Sequence, residues 1–162
     1  METREVRRIL VTAIGSFAAP AVIRELKKEG CYVVGTDVNP AELLSESTEV
    51  QAFYQLPRCD AREEYLQKLS AVIQREQIDG ILPLTDAELD VLGADTEQLG
   101  GALLLAPSGE LLQRARHKKQ SKEAAEAVFR RAGNERFVTI PTFRMPHRTE
   151  EEREQWLLRH MP

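Results

Sequence analysis

Apolar positions in the first hundred residues follow two alternating rhythms. Short runs at Ile9-Leu10-Val11, Tyr32-Val33-Val34, Ala52-Phe53-Tyr54-Gln55-Leu56, Ile78 to Leu84 and Ala102 to Ala106 read as strands. The stretches between them carry helical spacing: Val22, Ile23 and Leu26 after Ala18-Ala19-Pro20, then Tyr65, Leu66, Leu69, Val72 and Ile73, then Leu89, Val91 and Leu92 running toward Leu99. Pro20 suits a first helical turn, and Gly30 suits a helix stop. Asp60, with Glu63 three residues on, predicts an N-cap, and Ala41 to Ser47 predicts a short helix. A helix between two buried strands makes a βαβ unit, whose right-handed crossover leaves the strands parallel. The alternation through residue 107 therefore predicts an α/β fold with a Rossmann-like, doubly wound, mostly parallel sheet of about five strands.

Beyond Pro107 the rhythm is helical. Gly109 to Arg116 and Ser121 to Arg131 predict helices, Gly133-Asn134 ends the second, Phe137 to Pro141 reads as extended, and Thr149, as a cap with Glu152, opens a last helix holding Trp156, Leu157 and Leu158. Two parts follow, 1–107 and 108–162, and charge divides with them. The chain carries −4 overall; residues 1–107 hold 10 Lys+Arg against 18 Asp+Glu, a net of −8, while residues 108–162 hold 12 against 8, a net of +4. Different jobs or different partners are implied. Trp156, Leu157 and Leu158 need an apolar surface to cover them, which predicts a contact with residues 108–143 or a homodimer.

At 42% hydrophobic and 30% charged, the composition is that of a soluble globular protein. No apolar run is long enough to span a membrane and Met1-Glu2-Thr3-Arg4-Glu5 is no signal peptide, so a cytoplasmic protein with no membrane partner is expected. Cys31 and Cys59 lack a CxxC spacing and read as reduced, partly buried thiols. His117, His147 and His160 form no metal or triad pattern.

Candidate chemistry gathers at the carboxyl ends of the expected strands, where open α/β sheets bind ligands. The first is the turn Thr12-Ala13-Ile14-Gly15-Ser16-Phe17, because free amides at the following helix's N-terminus attract anions. Its single glycine does not meet the dinucleotide fingerprint, although Asp37 stands at the distance of a ribose-binding carboxylate. The second is Thr85-Asp86-Ala87-Glu88: a hydroxyl and two carboxylates able to hold an amine or a sugar, or a capping box in which Thr85 and Glu88 satisfy free backbone N–H groups. The third is Arg114 to Lys122, with five Lys/Arg in nine positions. A nucleotide polyphosphate suits it better than nucleic acid, since the chain is acidic overall and lacks interleaved aromatics.

Taken together, Ile9 to Gly15, Val34-Gly35-Thr36-Asp37, the run Ile78-Asp79-Gly80-Ile81-Leu82-Pro83-Leu84-Thr85-Asp86-Ala87-Glu88-Leu89, and Pro107-Ser108 before His117-Lys118-x-x-Ser121 resemble the N-terminal part of ATP-grasp ligases. The branch is that of the carbamoyl-phosphate-synthase large subunit and the pyrrolysine-biosynthesis ligase, and the resemblance covers about residues 7 to 143. It implies a pre-ATP-grasp domain that forms one wall of a substrate site, built here from Gly15, Ser16, Phe17, Asp37, Thr85, Asp86 and Glu88. In the family's D-K-x-x-T element the lysine reaches nucleotide phosphate; Lys118 takes that place, Ser121 replaces the threonine and His117 the aspartate. The link at Gly133 to Pro141 is longer than the family's.

Such ligases activate a carboxylate as an acyl phosphate that an amine then attacks. That needs ATP and Mg²⁺ clamped by roughly 150 further residues. The resemblance therefore implies a pre-ATP-grasp domain present as a fragment, a truncated gene product or one part of a split enzyme, without catalytic residues or metal ligands of its own. It binds a small carboxylate or amine, and in the split case its partner is a separate ATP-grasp chain. The alternatives are a stand-alone nucleotide- or dinucleotide-binding regulatory module without catalysis, and a dehydrogenase-type dinucleotide domain.

Overall fold

Five strands lie side by side in the order β3-β2-β1-β4-β5, all parallel, in a computed structural model that describes residues 7–94, 96–107, 109–133 and 149–160. They are β1 (Arg8–Val11), β2 (Tyr32–Asp37), β3 (Ala52–Gln55), β4 (Gly80–Leu82) and β5 (Leu103–Leu104). The helices are α1 (Ala19–Lys28), α2 (Arg62–Glu76), α3 (Asp86–Ala94), α4 (Gly109–Arg116), α5 (Lys118–Arg131) and α6 (Glu150–His160). The chain forms two compact units, Met1–Gly109 and Glu110–Pro162. The expected α/β, doubly wound, parallel sheet is present in the first.

Strand alternation sorts the core onto two faces of that sheet. Ile9, Val11 and Val33 point to one side, where they meet Ile14, Ala19 and Ile23 of the α1 region and Leu44. Leu10, Val34 and Ile81 point to the other, against Tyr65, Leu69 and Ile73 of α2, with Leu92 and Leu99. Order reverses between β1 and β4: the chain builds outward to β2 and β3, then returns to the far side of β1. The carboxyl ends of those two neighbours therefore bound a crevice.

Several elements depart from their sequence pattern, the strands for hydrogen-bonding reasons. The Ile78 N–H closes the end of α2 on Ile73, and Pro83 has no N–H to give, so β4 keeps only Gly80–Leu82 of the expected Ile78–Leu84. The Ala102 N–H turns back to Leu99, which trims β5. Instead of one helix over Ala41 to Ser47 there are two 3₁₀ turns, Ala41–Leu43 and Ser45–Thr48, separated by Leu44 with extended backbone and a side chain sunk into the core. Burying Leu44 wins over helix continuity. Ala61, not Asp60, is the N-cap of α2; Asp60 instead accepts from the Ala61 N–H and pairs with Arg58. The helix expected to run to Leu99 stops at Ala94, with a 3₁₀ turn at Thr96–Leu99.

α2 ends on Gln77 at φ 51°, its N–H and that of Ile78 closing a Schellman pair on Gln74 and Ile73. A side chain in that conformation costs about 1 kcal/mol relative to glycine. Gln77→Gly is accordingly expected to stabilise the first unit by about that amount, read from the urea unfolding midpoint; an unchanged or lower midpoint would refute the strain.

At the opposite end of the strands, Asp79 Oδ2 accepts from the Arg7 and Arg8 amides, at 3.1 and 3.0 Å. The Arg8 guanidinium pairs with Glu76 and lies over the Tyr32 ring at 3.8 Å, and the Tyr54 hydroxyl donates to the same Glu76. That hydrogen bond and burial raise the Tyr54 pKa above the ordinary phenol value. β1, β2, β3 and the end of α2 are thus tied together at the amino edge.

In the second unit α5 starts at Lys118, three residues ahead of the expected Ser121, and buries no residue. Leu158 of α6 is exposed, and the side chains of Trp156 and Leu157 lie outside the described residues, as does the extended piece expected at Phe137 to Pro141. Thr149 directly precedes α6. No described helix is long and apolar enough to cross a membrane.

Candidate functional site

The crevice at the carboxyl edge begins where β1 ends. Thr12 still donates its N–H to Leu82 of β4 at 3.2 Å; the next residue, Ala13, then turns at φ 50°. Positive φ is uncommon in alanine, and here it swings the chain out of the sheet. Ile14 returns its N–H to Thr36 at 3.1 Å, and the Gly15 N–H donates to Asp37 Oδ2 at 2.8 Å. A side chain there would have to displace its neighbours. A Cβ at Gly15 would meet Leu44 Cδ2 at 2.8 Å and Asp37 Oδ2 at 3.1 Å. The other Asp37 oxygen accepts from the Asn39 amide N–H at 2.9 Å and side-chain Nδ2 at 3.0 Å. Asp37 thereby pins both the first turn and the exit of β2.

Glu88 anchors the other wall. Its Oε2 accepts from the hydroxyls of Thr12 at 2.8 Å and Thr85 at 2.7 Å, and its Oε1 accepts from the Tyr65 hydroxyl at 3.1 Å. Three elements, β1, α2 and α3, converge on this one buried carboxylate. The expected capping box is therefore half made: Thr85 Oγ1 accepts the Glu88 N–H at 3.4 Å, while the Glu88 carboxylate turns inward rather than back to the Thr85 amide. Burial and the neighbouring Glu88 charge push the Tyr65 hydroxyl far above the ordinary phenol range. Burial and the same charge raise the Cys59 thiol, which stays protonated and weakly nucleophilic.

Between these walls lies a cleft of about 170 Å³ lined by Ala13, Asp37, Val38, Arg58, Cys59, Thr85 and Glu88. Arg58 is the cation on that lining, and its Nε turns to Asp60 Oδ2 at 3.1 Å. An adjoining groove of about 360 Å³ shares Val38 and Arg58 and adds Gln55, Leu56, Pro57 and Lys68. Larger grooves, of about 690 and 850 Å³, lie along α1 and α2 away from this edge.

Of the residues singled out in the sequence, Asp37, Thr85 and Glu88 share the cleft, and Gly15 is bonded to it through Asp37. Asp86 is exposed and absent from the lining, and the Phe17 side chain is fully exposed. The Ser16 hydroxyl is buried without a hydrogen-bond partner. Lys118 is an exposed first residue of α5, in the second unit. Ser121 donates its hydroxyl to the Ala115 carbonyl at 3.1 Å. The sequence reading gave Thr12, Tyr65, Arg58 and Cys59 no part in a binding site. A threonine closing an apolar strand and a tyrosine inside an apolar helical stripe both carry a signal, because a buried hydroxyl must find a partner. Both Cys31 and Cys59 are free thiols and partly buried, as read.

Among the described residues no three His, Cys, Asp or Glu side chains converge as a ligand set. At the first turn, the Gly15 amide that would greet a phosphate already holds the Asp37 carboxylate. Phosphate approaching there meets negative charge.

A family model described as the PylC-like N-terminal domain matches residues 9–102, from β1 to the residue before β5, which bears out the resemblance over that span. Solved structures with a similar fold include the L-amino acid ligase of Bacillus licheniformis, at 15% identity and TM-score 0.60 over 90% of this chain and 34% of that one. The pyruvate carboxylase of Rhizobium etli is similar at 19% identity and TM-score 0.60, over 88% of this chain and 14% of that one. The biotin carboxylase of Campylobacter jejuni matches at 18% identity and TM-score 0.56, over 80% and 28%. The chain spans about a third or less of the length of each, and likeness at such identities speaks for the fold. A search of the curated proteins finds no match.

Proposed function

We propose a function from one premise: the chain belongs to the PylC-like N-terminal domain family. It acts as the pre-ATP-grasp domain of a cytoplasmic, carbamoyl-phosphate-synthase-like carboxylate–amine ligase and supplies one wall of the substrate site. The observation that supports this reading is the cleft at the β1/β4 switch point, where Asp37, Thr85 and Glu88 converge. The chain's own residues bind and orient a small carboxylate or amine; ATP and Mg²⁺ would be held by an ATP-grasp half on further polypeptide, in the same chain or a separate one. Residues 108–162 resemble the start of that half, with Lys118 as its phosphate contact.

Joined to an ATP-grasp half, by fusion or by mixing, the chain is expected to confer substrate-dependent phosphate release from Mg-ATP; ATP turnover indifferent to its presence would overturn the reading. The dinucleotide alternative is tested by heat. A ligand at about 100 times its dissociation constant stabilises by about 2.7 kcal/mol, which raises the unfolding midpoint by about 5–10 °C. NAD is expected to leave the midpoint unchanged, because Asp37 fills the turn a pyrophosphate needs. A rise with NAD that disappears in Asp37→Ala would establish the dinucleotide domain instead.

A further inference from the structure

Two carboxylates on the cleft wall are more than nine-tenths buried or close to it: Asp37 at 7% and Glu88 at 9% exposure. Buried carboxylates are normally matched by a cation. Neither is, among the described ion pairs, and Arg58 on the same wall pairs with Asp60 instead.

Lone-pair accounting shows what each can still accept. A carboxylate oxygen takes two hydrogen bonds. Asp37 Oδ1 has both, from Asn39, while Oδ2 has one, from Gly15. Glu88 Oε2 has both, from Thr12 and Thr85, while Oε1 has one, from Tyr65. One acceptor position therefore remains on each carboxylate, held in place by the other bonds. The protein donors fix the two groups without neutralising them.

We propose, on the reading above, that this cleft receives the ammonium end of the substrate, a small amino acid, and that Asp37 Oδ2 and Glu88 Oε1 accept its N–H groups. An ammonium brings up to three donors and the missing positive charge. The carboxylate end lies outward along the adjoining groove, where Arg58 and Lys68 line the wall. Both cations are exposed and engaged with neighbours, Arg58 with Asp60 and Lys68 with Glu64, so this outer end contributes less than the inner one. The site thus has a polarity: amine inward, acid outward.

The test is a proton–nitrogen NMR titration of the chain, following the Gly15 amide that reports on Asp37, with three probes of equal carbon length: δ-aminovalerate, pentylamine and valerate. The expected order of affinity is δ-aminovalerate, then pentylamine, with valerate weaker by about tenfold or more. Glu88→Gln and Asp37→Asn are each expected to weaken pentylamine by about tenfold. Arg58→Ala, at a side chain 77% exposed, is not expected to disturb folding. It should weaken δ-aminovalerate toward pentylamine, while pentylamine, which has no carboxylate to lose and no longer shares the cleft with a guanidinium, binds no more weakly than before. Valerate binding as well as pentylamine would overturn the polarity while leaving a substrate cleft and the ligase reading in place. No response to any of the three would remove the cleft as a substrate wall, and both readings with it.

Discussion

Glu88→Ala is expected to lower the unfolding free energy of the first unit by about 2–4 kcal/mol. The change leaves the Thr12 and Tyr65 hydroxyls, 0% and 1% exposed, without their acceptor, and Thr85 loses the same partner at the cleft. Each buried polar group orphaned in this way costs about 1–3 kcal/mol. Removing a buried carboxylate that lacks a cation gives some of this back, which keeps the total below the simple sum. Glu88→Gln keeps an acceptor oxygen and is expected to cost about 1 kcal/mol. Urea unfolding of both variants decides the matter. A Glu88→Ala loss below about 0.5 kcal/mol would mean that the three hydroxyls find other partners and that Glu88 organises nothing.

The second large effect lies on β1, two residues before Thr12. Leu10 is fully buried on β1, paired in register with Val34 on one side and Ile81 on the other, and faces the α2 side of the sheet. Leu10→Ala is expected to cost about 3–4 kcal/mol, because the central strand cannot collapse into the space left by the missing methyls. Phe17→Ala, a few residues on, should change stability by less than about 0.5 kcal/mol, since its ring is fully exposed. Comparable losses in the two variants would contradict the assignment of core and edge.

That contrast shows what the pattern of residues does and does not disclose. Leu10 was legible as core from its place in Ile9-Leu10-Val11, and the parallel sheet was legible from strands and helices taking turns. Strand ends were not, because they depend on single hydrogen bonds: the Ile78 amide serves α2 rather than β4. The cleft was half legible. Thr85 and Glu88 stood out by their spacing, but that spacing alone does not distinguish a cap from a ligand site. The structure shows the threonine capping and the glutamate turned inward. Tyr65 hid among Leu66, Leu69, Val72 and Ile73, where its ring reads as packing and its hydroxyl goes unnoticed. Long-range pairs such as Thr12 with Glu88, 76 positions apart, have no local sequence signature.

The tie at the amino edge of the sheet has a consequence for how such a domain can diversify. Arg8, Glu76, Tyr54 and Asp79 bind the strands where no cleft residue stands. Cohesion at that margin does not draw on the opposite one, where Asp37 and Glu88 hold the turns. Val38, Arg58 and the outer rim are thus free to be exchanged for new side chains while the sheet stays intact. On the proposed reading, one scaffold can then be fitted to different small molecules by drift along a single rim, with Asp37 and Glu88 as the positions where a change of ligand also becomes a change of stability.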